Sequence, residues 1–295
     1  MKTITMSVLT AVALSACAGV AQAGWPGDSF VKCPPDAVKV GSACVDTYEA
    51  SVWDIPANNL SGRSNAALIR KVKNGKASLA DLTAGGATQV SPSSGCTPVF
   101  PGTFPADGNW TAPLYAVSVA GVNPTACTTW FQAAQACRQS GKRLLTNAEW
   151  QDAASGTPDP GVGGDGTTTC NTFTADVVNT GSTGNCKSNY GAFDMVGNVW
   201  EWVADWVPRS TACGSWSFAT GDYQCLGGAA TTGEPGALIR GGDWGSGAFA
   251  GVFAVYGSNQ PSLSASSSGS GARASRRAIW EFGNLILGFP RVARA

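Results

Sequence analysis

The chain has no histidine among its 295 residues. That absence removes Ser-His and Cys-His nucleophile pairs, histidine-ligated zinc or iron, and histidine proton relays. No C-x-x-C occurs either, so neither a dithiol redox motif nor a thiolate zinc site is signalled. Charge is sparse, 13%, with 19 basic and 19 acidic residues. Zero net charge leaves no global basic field, so nucleic acid is not expected as a partner. The apolar run at the N-terminus is too short to be a spanning helix with flanks.

What remains is 43% hydrophobic, with 38 glycines and 11 tryptophans. Such a mix suits a loop-rich fold with aromatic anchors more than a helical bundle. The length allows one large domain or two small ones.

The opening "MKTITMSVLTAVALSACAGVAQAG" has an early lysine, an apolar stretch and small residues before a cut, and reads as an export signal over 1–23. Two processing routes stay open. "LSAC" resembles a lipobox that would make Cys17 a lipidated first residue; Ala21-Gln22-Ala23 resembles an ordinary cleavage site before Gly24. The mature protein is therefore expected at the bacterial surface, as an outer-membrane lipoprotein, or secreted. Membrane contact is expected only through that anchor.

Either route takes Cys17 out of disulfide chemistry. An oxidising compartment makes disulfides the default for the nine that follow. Short loops suggest Cys33–Cys44, Cys170–Cys186 and Cys213–Cys225. Cys127 and Cys137 fall in one expected helix, about 15 Å apart along its axis, and cannot bridge each other. Cys96–Cys127 is then expected, leaving Cys137 as a buried thiol.

The stretch Cys44–Pro56 alternates like a strand. Residues 57–109 are rich in Gly, Ser, Asn and Pro and read as an insertion, with a short helix near Ala66–Lys73. In Thr128–Ala154, Trp130, Ala133, Ala134 and Cys137 keep helical spacing and Gly141 closes the helix. Thr146 and Glu149 form a capping box for a second helix. Irregular loops follow Ser155. "YGAFDMVGNVWEWVADW" reads as a turn entering a core strand with stacked indoles.

Together these stretches resemble the formylglycine-generating-enzyme-like (sulfatase-modifying-factor) family, whose fold is related to C-type lectins. "YEASVW", "GKRLLTNAEWQDAA", "YGAFDMVGNVWEWVADW", "LIRGGDW" and "LGFPRVARA" stand in the family's order over Cys44 to Ala295. The resemblance implies an α+β fold, irregular and loop-rich, with a few helices and small antiparallel sheets, as a single domain over 24–295. It also implies a structural calcium ion held by carboxylates of Asp194 and Glu201 and carbonyls of Gly197 and Val199, a donor set of hard oxygens in a tight turn. The competing reading has Asp194 capping a turn and Glu201 meeting a core arginine. The family's oxidases bind copper through two cysteines after the "RGG" motif, but here the last cysteine is Cys225, before Arg240. Its sulfur-transferring iron branch needs histidines. Neither copper nor iron is therefore expected, nor is enzyme activity.

"RGGDWGSGAFAGVFAVYGSNQPS", which opens the segment 240–277, resembles the variable region of diversity-generating-retroelement target proteins, in which a reverse transcriptase rewrites chosen codons while the fold stays fixed. The resemblance implies a ligand-contacting set on one surface: Asp243, Gly245, Ser246, Phe249, Tyr256, Gly257, Ser258, Leu263, Ala265, Ser267 and Ser268. Arg240, Gly241, Gly242 and Trp244 are expected to begin a strand, Ala250–Ala254 to form a buried one, and Pro261 and Ser262 to set a turn. Isolated aromatics among small residues suit adaptable recognition. The leading expectation is thus a non-catalytic surface protein that binds an unknown protein or cell-surface ligand. A formylglycine-generating-type oxidase acting on a cysteine substrate, and a lectin-like or structural protein with a fixed ligand, are the alternatives.

Overall fold

The computed structural model describes residues 31–91, 99–228, 233–264, 270–277 and 279–280. Short strands β1 (Val31–Lys32), β2 (Ala37–Val40), β3 (Ala43–Asp46) and β4 (Ala50–Asp54) lead into helices α1 (Ala66–Lys73) and α2 (Leu79–Ala84). Strands β5 (Thr88–Val90) and β6 (Leu114–Ser118), helix α3 (Trp130–Gln139), strand β7 (Arg143–Leu144) and helix α4 (Asn147–Ala153) follow. After a long irregular stretch come β8 (Trp200–Val207), β9 (Ala212–Ser215), β10 (Tyr223–Gly227), β11 (Gly236–Gly241), β12 (Gly251–Asn259), β13 (Ser270–Ala272), β14 (Ala274–Arg277) and β15 (Ile279–Trp280). Few helices, small and mainly antiparallel sheets and abundant loops match the expected α+β class.

The expected strand Cys44–Pro56 is two strands in different sheets. β3 lies between β2 and β14, whereas β4 lies between β5 and β6. The chain must leave one sheet for the other, and Thr47–Glu49 makes that crossing. The stretch 57–109 is more than a loose insertion. It supplies β5, whose Val90 stands opposite Val52, and it buries Leu68, Val72 and Leu82 against Trp53 and Ile55. Helix α1 falls where periodicity places it. Helix α2 begins at a capping box that the sequence reading passed over, with Ser78 accepting from the Asp81 N–H while the Asp81 carboxylate accepts in return.

Helix α3 carries the same device at Thr129 and Gln132, and α4 has the expected box at Thr146 and Glu149. Cys127 lies ahead of α3 and not within it, with φ 59°. Cys137 stays a thiol in the core. The three short-loop disulfides, Cys33–Cys44, Cys170–Cys186 and Cys213–Cys225, are all present. Cys127 is disulfide-bonded, and its expected partner Cys96 lies outside the described residues, as does Cys17. Disulfides of this number place the folded protein in an oxidising compartment, so it is exported.

The six-stranded sheet has the order β13-β8-β11-β12-β10-β9. Its inner face packs Trp202, Ile239 and Ala254 against Ala133, Ala136 and Cys137 of α3. Arg240 and Gly241 end β11 instead of beginning a strand. Gly241 and Gly242 take φ of 90° and 87°, a left-handed backbone that breaks the extended run. At Gly242 a Cβ would also meet the Cα and Cβ of Ala250 at 2.6 Å. The return strand appears from Gly251 as the first half of β12, with Ala250 just before it and with Phe253 exposed and not buried, and Pro261 and Ser262 turn as expected.

Candidate functional site

The turn before β8 gathers an acidic cluster. Asp194 and Asn198 hold φ of 58° and 59°, and Gly197 holds 79°, where a Cβ would stand 2.2 Å from the Asn171 carbonyl. Asp194 Oδ2 accepts from the Gly181 N–H at 2.7 Å and the Thr180 hydroxyl at 2.9 Å. Glu201 Oε2 accepts from the Trp150 indole at 2.5 Å, and Oε1 from Arg273 Nε at 2.7 Å. Glu49, which the sequence reading did not single out, completes the cluster. Its carboxylate accepts from Asn198 Nδ2 at 2.5 Å and the Val199 N–H at 3.2 Å.

All these groups are buried. Burial raises the carboxyls of Glu49, Asp194 and Glu201, Arg273 pulls all three back down, and the neighbouring acids push Glu49 up further. Both oxygens of Glu201 are thus engaged, by an indole and by a core arginine, and Asp194 anchors the 180–181 turn. A calcium ion in this turn would draw on Asp194 and on the carbonyls of Gly197 and Val199.

The segment from Arg240 onward is built as framework plus outward residues. Arg240 is buried and lies over the Trp150 ring at 4.4 Å. Its guanidinium donates to the Ala254 carbonyl at 2.5 Å, to the Val252 carbonyl and to Gln151 Oε1. Burial lowers its pKa to about 9 against the opposing pull of Asp222. Arg240 therefore ties β11, β12 and α4 together.

Of the expected contact set, Gly245, Phe249 and Leu263 are exposed, and Ser246, Tyr256 and Ser258 are half-buried. Two are corrected. Asp243 is only 1% exposed: Oδ1 turns inward to accept from the Gly245 N–H at 3.0 Å and the Ser246 hydroxyl at 2.7 Å, closing the turn after β11. Burial lifts its carboxyl to about 6. Gly257 is buried in β12 between β11 and β10, where a Cβ would stand 2.9 Å from the Cys225 carbonyl. Ala265, Ser267 and Ser268 lie outside the described residues.

Tyr256 has a second role. Its ring packs against Trp200 at 6.2 Å and stacks with Tyr223 at 6.4 Å, and Tyr223 in turn meets Phe249 at 4.6 Å. Beside them, Trp216 stacks with Phe218 and Phe218 meets Phe253 edge-on at 5.1 Å. Trp216, Phe218, Tyr223 and Phe253 were missed by sequence reasoning. Phe253 sat inside a stretch read as buried strand, and β9–β10 carried no motif.

The model of the sulfatase-modifying factor enzyme 1-like domain family matches residues 82–277. The formylglycine-generating enzyme of Thermomonospora curvata is 35% identical over 102 residues, covering 28% of this chain and 34% of that enzyme. The serine/threonine-protein kinase pkn1 of Chlamydia pneumoniae is 39% identical over 92 residues, covering 28% of this chain and 14% of the kinase. The match thus spans about a third or less of either relative's length. Among solved structures, the Major Tropism Determinant U1 variant aligns at TM-score 0.43 and 19% identity, over 84% of this chain and 54% of that one. The Treponema denticola variable protein 1 aligns at TM-score 0.30 and 25% identity, over 46% and 48%.

Proposed function

The chain belongs to the sulfatase-modifying factor enzyme 1-like domain family, and from that premise we propose that it is a non-catalytic binding protein of the bacterial exterior. Its ligand meets the outward residues Gly245, Ser246, Phe249, Tyr256, Ser258 and Leu263, together with Ala265, Ser267 and Ser268 further along. One observation carries this reading. The framework between them holds itself, through the Arg240 clamp and the pairing of β11 with β12, while Phe249 and Leu263 remain 54% and 55% exposed. Large apolar side chains left outside a complete framework are the raw material of a contact surface.

A retroelement that rewrites these codons is the source of their mixture. The test is genomic: a near-copy of the segment encoding Arg240–Arg277, beside a reverse transcriptase, with differences confined to adenines in the copy. A neighbourhood with neither feature would instead favour a protein with a fixed ligand. Anchoring through lipidated Cys17 is part of the proposal, and metabolic labelling with palmitate, lost in Cys17→Ala, tests it.

The kinship with a named formylglycine-generating enzyme favours a second reading, oxidation of a peptide cysteine. It requires copper on ligands other than a cysteine pair after the "RGG" motif. Copper-dependent oxygen consumption with a cysteine peptide would establish it in place of the first.

A further inference from the structure

A groove of about 420 Å³ lies beside the interchangeable residues, lined by Asp159, Gly161, Ala219, Asp222, Ala248 and Phe253 among others. Two features of its wall point to a ligand class. First, Asp159 and Asp222 both line it. Second, the Phe253 ring is continued outward by the Phe218 ring, which is 69% exposed, and Phe218 stacks on Trp216. Trp216 is fixed in place by donating its indole N–H to the Phe253 carbonyl at 3.0 Å.

The carboxylates are positioned from the framework. Asp222 Oδ2 accepts from the Phe253 N–H at 2.7 Å, and Asp159 Oδ1 from the Gly161 N–H at 3.2 Å. Gly251 makes room for Asp222, since a Cβ there would stand 2.3 Å from its carboxylate. Neighbouring carboxylates repel each other's charge and favour a cation between them. Burial and the neighbouring Asp159 raise Asp222 to about 6. Arg240, whose charge acts on Asp222, is buried and directed at backbone carbonyls and Gln151. The groove thus presents two carboxylates beside an aromatic wall, the pairing that suits a delocalised cation.

We infer that this groove is a fixed subsite for a cationic side chain of a protein partner, an arginine in first place, standing beside the surface whose residues vary. The guanidinium fork would reach both carboxylates while its plane lies along Phe253 and Phe218. None of Asp159, Asp222, Phe218 or Phe253 belongs to the interchangeable set. The subsite therefore stands whether or not those codons are rewritten, and it would give different variants one contact in common.

The test is ligand-observed NMR of the whole exported protein with Nα-acetyl-arginine amide as probe. Nα-acetyl-citrulline amide, its neutral isostere, and Nα-acetyl-lysine amide are compared beside it. The expected result is saturable arginine binding with Kd in the millimolar range and citrulline binding at least ~10-fold weaker. Asp159→Asn and Asp222→Asn should each weaken arginine about 10-fold, and Phe218→Ala about 3-fold. Lysine binding tighter than arginine would keep the cationic class and replace arginine as its first member. Asp159 and Phe218 are surface positions, so their variants remain informative if Asp222→Asn unfolds. Equal binding of arginine and citrulline, no saturation, or an unchanged Kd in Asp159→Asn would each overturn the inference. None of these results bears on the genomic test of the variable surface.

Discussion

Arg273 Nε donates to Glu201 Oε1 at 2.7 Å, with both side chains fully buried and 72 residues apart in the chain. The same guanidinium donates to the carbonyls of Asp46, Thr47 and Phe193. One arginine from the small-residue C-terminal stretch thus pins the β3–β4 crossing, the Asp194 turn and the start of β8. Arg273→Met would leave Glu201 buried and unbalanced, beside Glu49 and Asp194. The expected cost is about 3–5 kcal/mol in urea unfolding. Arg273→Lys should recover only part of it, because one ammonium cannot reach four acceptors. A loss under about 1 kcal/mol would contradict this account of the core.

Stability should rise on mild acidification. Asp243 and Asp222 stand at about 6 when folded, above the ordinary aspartate value. Between about pH 4 and 6 the folded chain holds protons that the unfolded chain has released. Stability is therefore greatest at the acid end of that window and falls as the pH rises through it. Asp243→Asn should flatten the difference between pH 5 and pH 7 by roughly 1 kcal/mol. Chemical denaturation at the two pH values measures it, and a steeper dependence in the variant would count against the burial of Asp243.

Metal removal should leave the fold intact. Glu201 is engaged by Trp150 and Arg273, and Asp194 by Gly181 and Thr180. Differential scanning calorimetry in excess chelator and in millimolar calcium should give the same Tm within about 1 °C, because a ligand that binds only the folded state must raise it. A calcium-dependent rise of several degrees would place the ion in the turn.

Much of the architecture was legible. The periodicity of Trp130–Cys137, the Thr146–Glu149 box and three short disulfide loops are local signals, readable without knowing what they pack against. The crossing at Thr47–Glu49 was not, because an alternating run looks the same whether one sheet or two receives it. Asp243 misled for a related reason. A small polar residue after "RGG" reads as surface, and only the inward turn shows that it closes hydrogen bonds of its own loop. Glu49 reaches Asn198 across 149 residues of chain and Arg273 reaches Asp46 across 227, and no spacing rule connects either pair. Phe218 and Trp216 lie in β9–β10 surroundings of Gly, Ser and Ala, and acquire meaning only when Phe253 is brought beside them.

Tyr256 separates framework from surface. Half-buried against Trp200 and Tyr223, it should cost about 1–3 kcal/mol as alanine, by loss of aromatic packing. Leu263→Ala, at 55% exposure, should stay within about 0.5 kcal/mol in the same urea titration. Equal costs at the two positions would mean that exposure does not sort them.

The central claim is that the outward residues can be exchanged without loss of the fold. The most direct measurement is the Tm of a single variant carrying Phe249→Ala, Ser258→Ala and Leu263→Ala together. The account predicts unfolding within a few degrees of the parent, since surface changes sum to roughly 1–2 kcal/mol at most. A collapse of 15 °C or more, on the order of 4 kcal/mol or above for a chain of this size, would show that these side chains hold the interior together, and would contradict it.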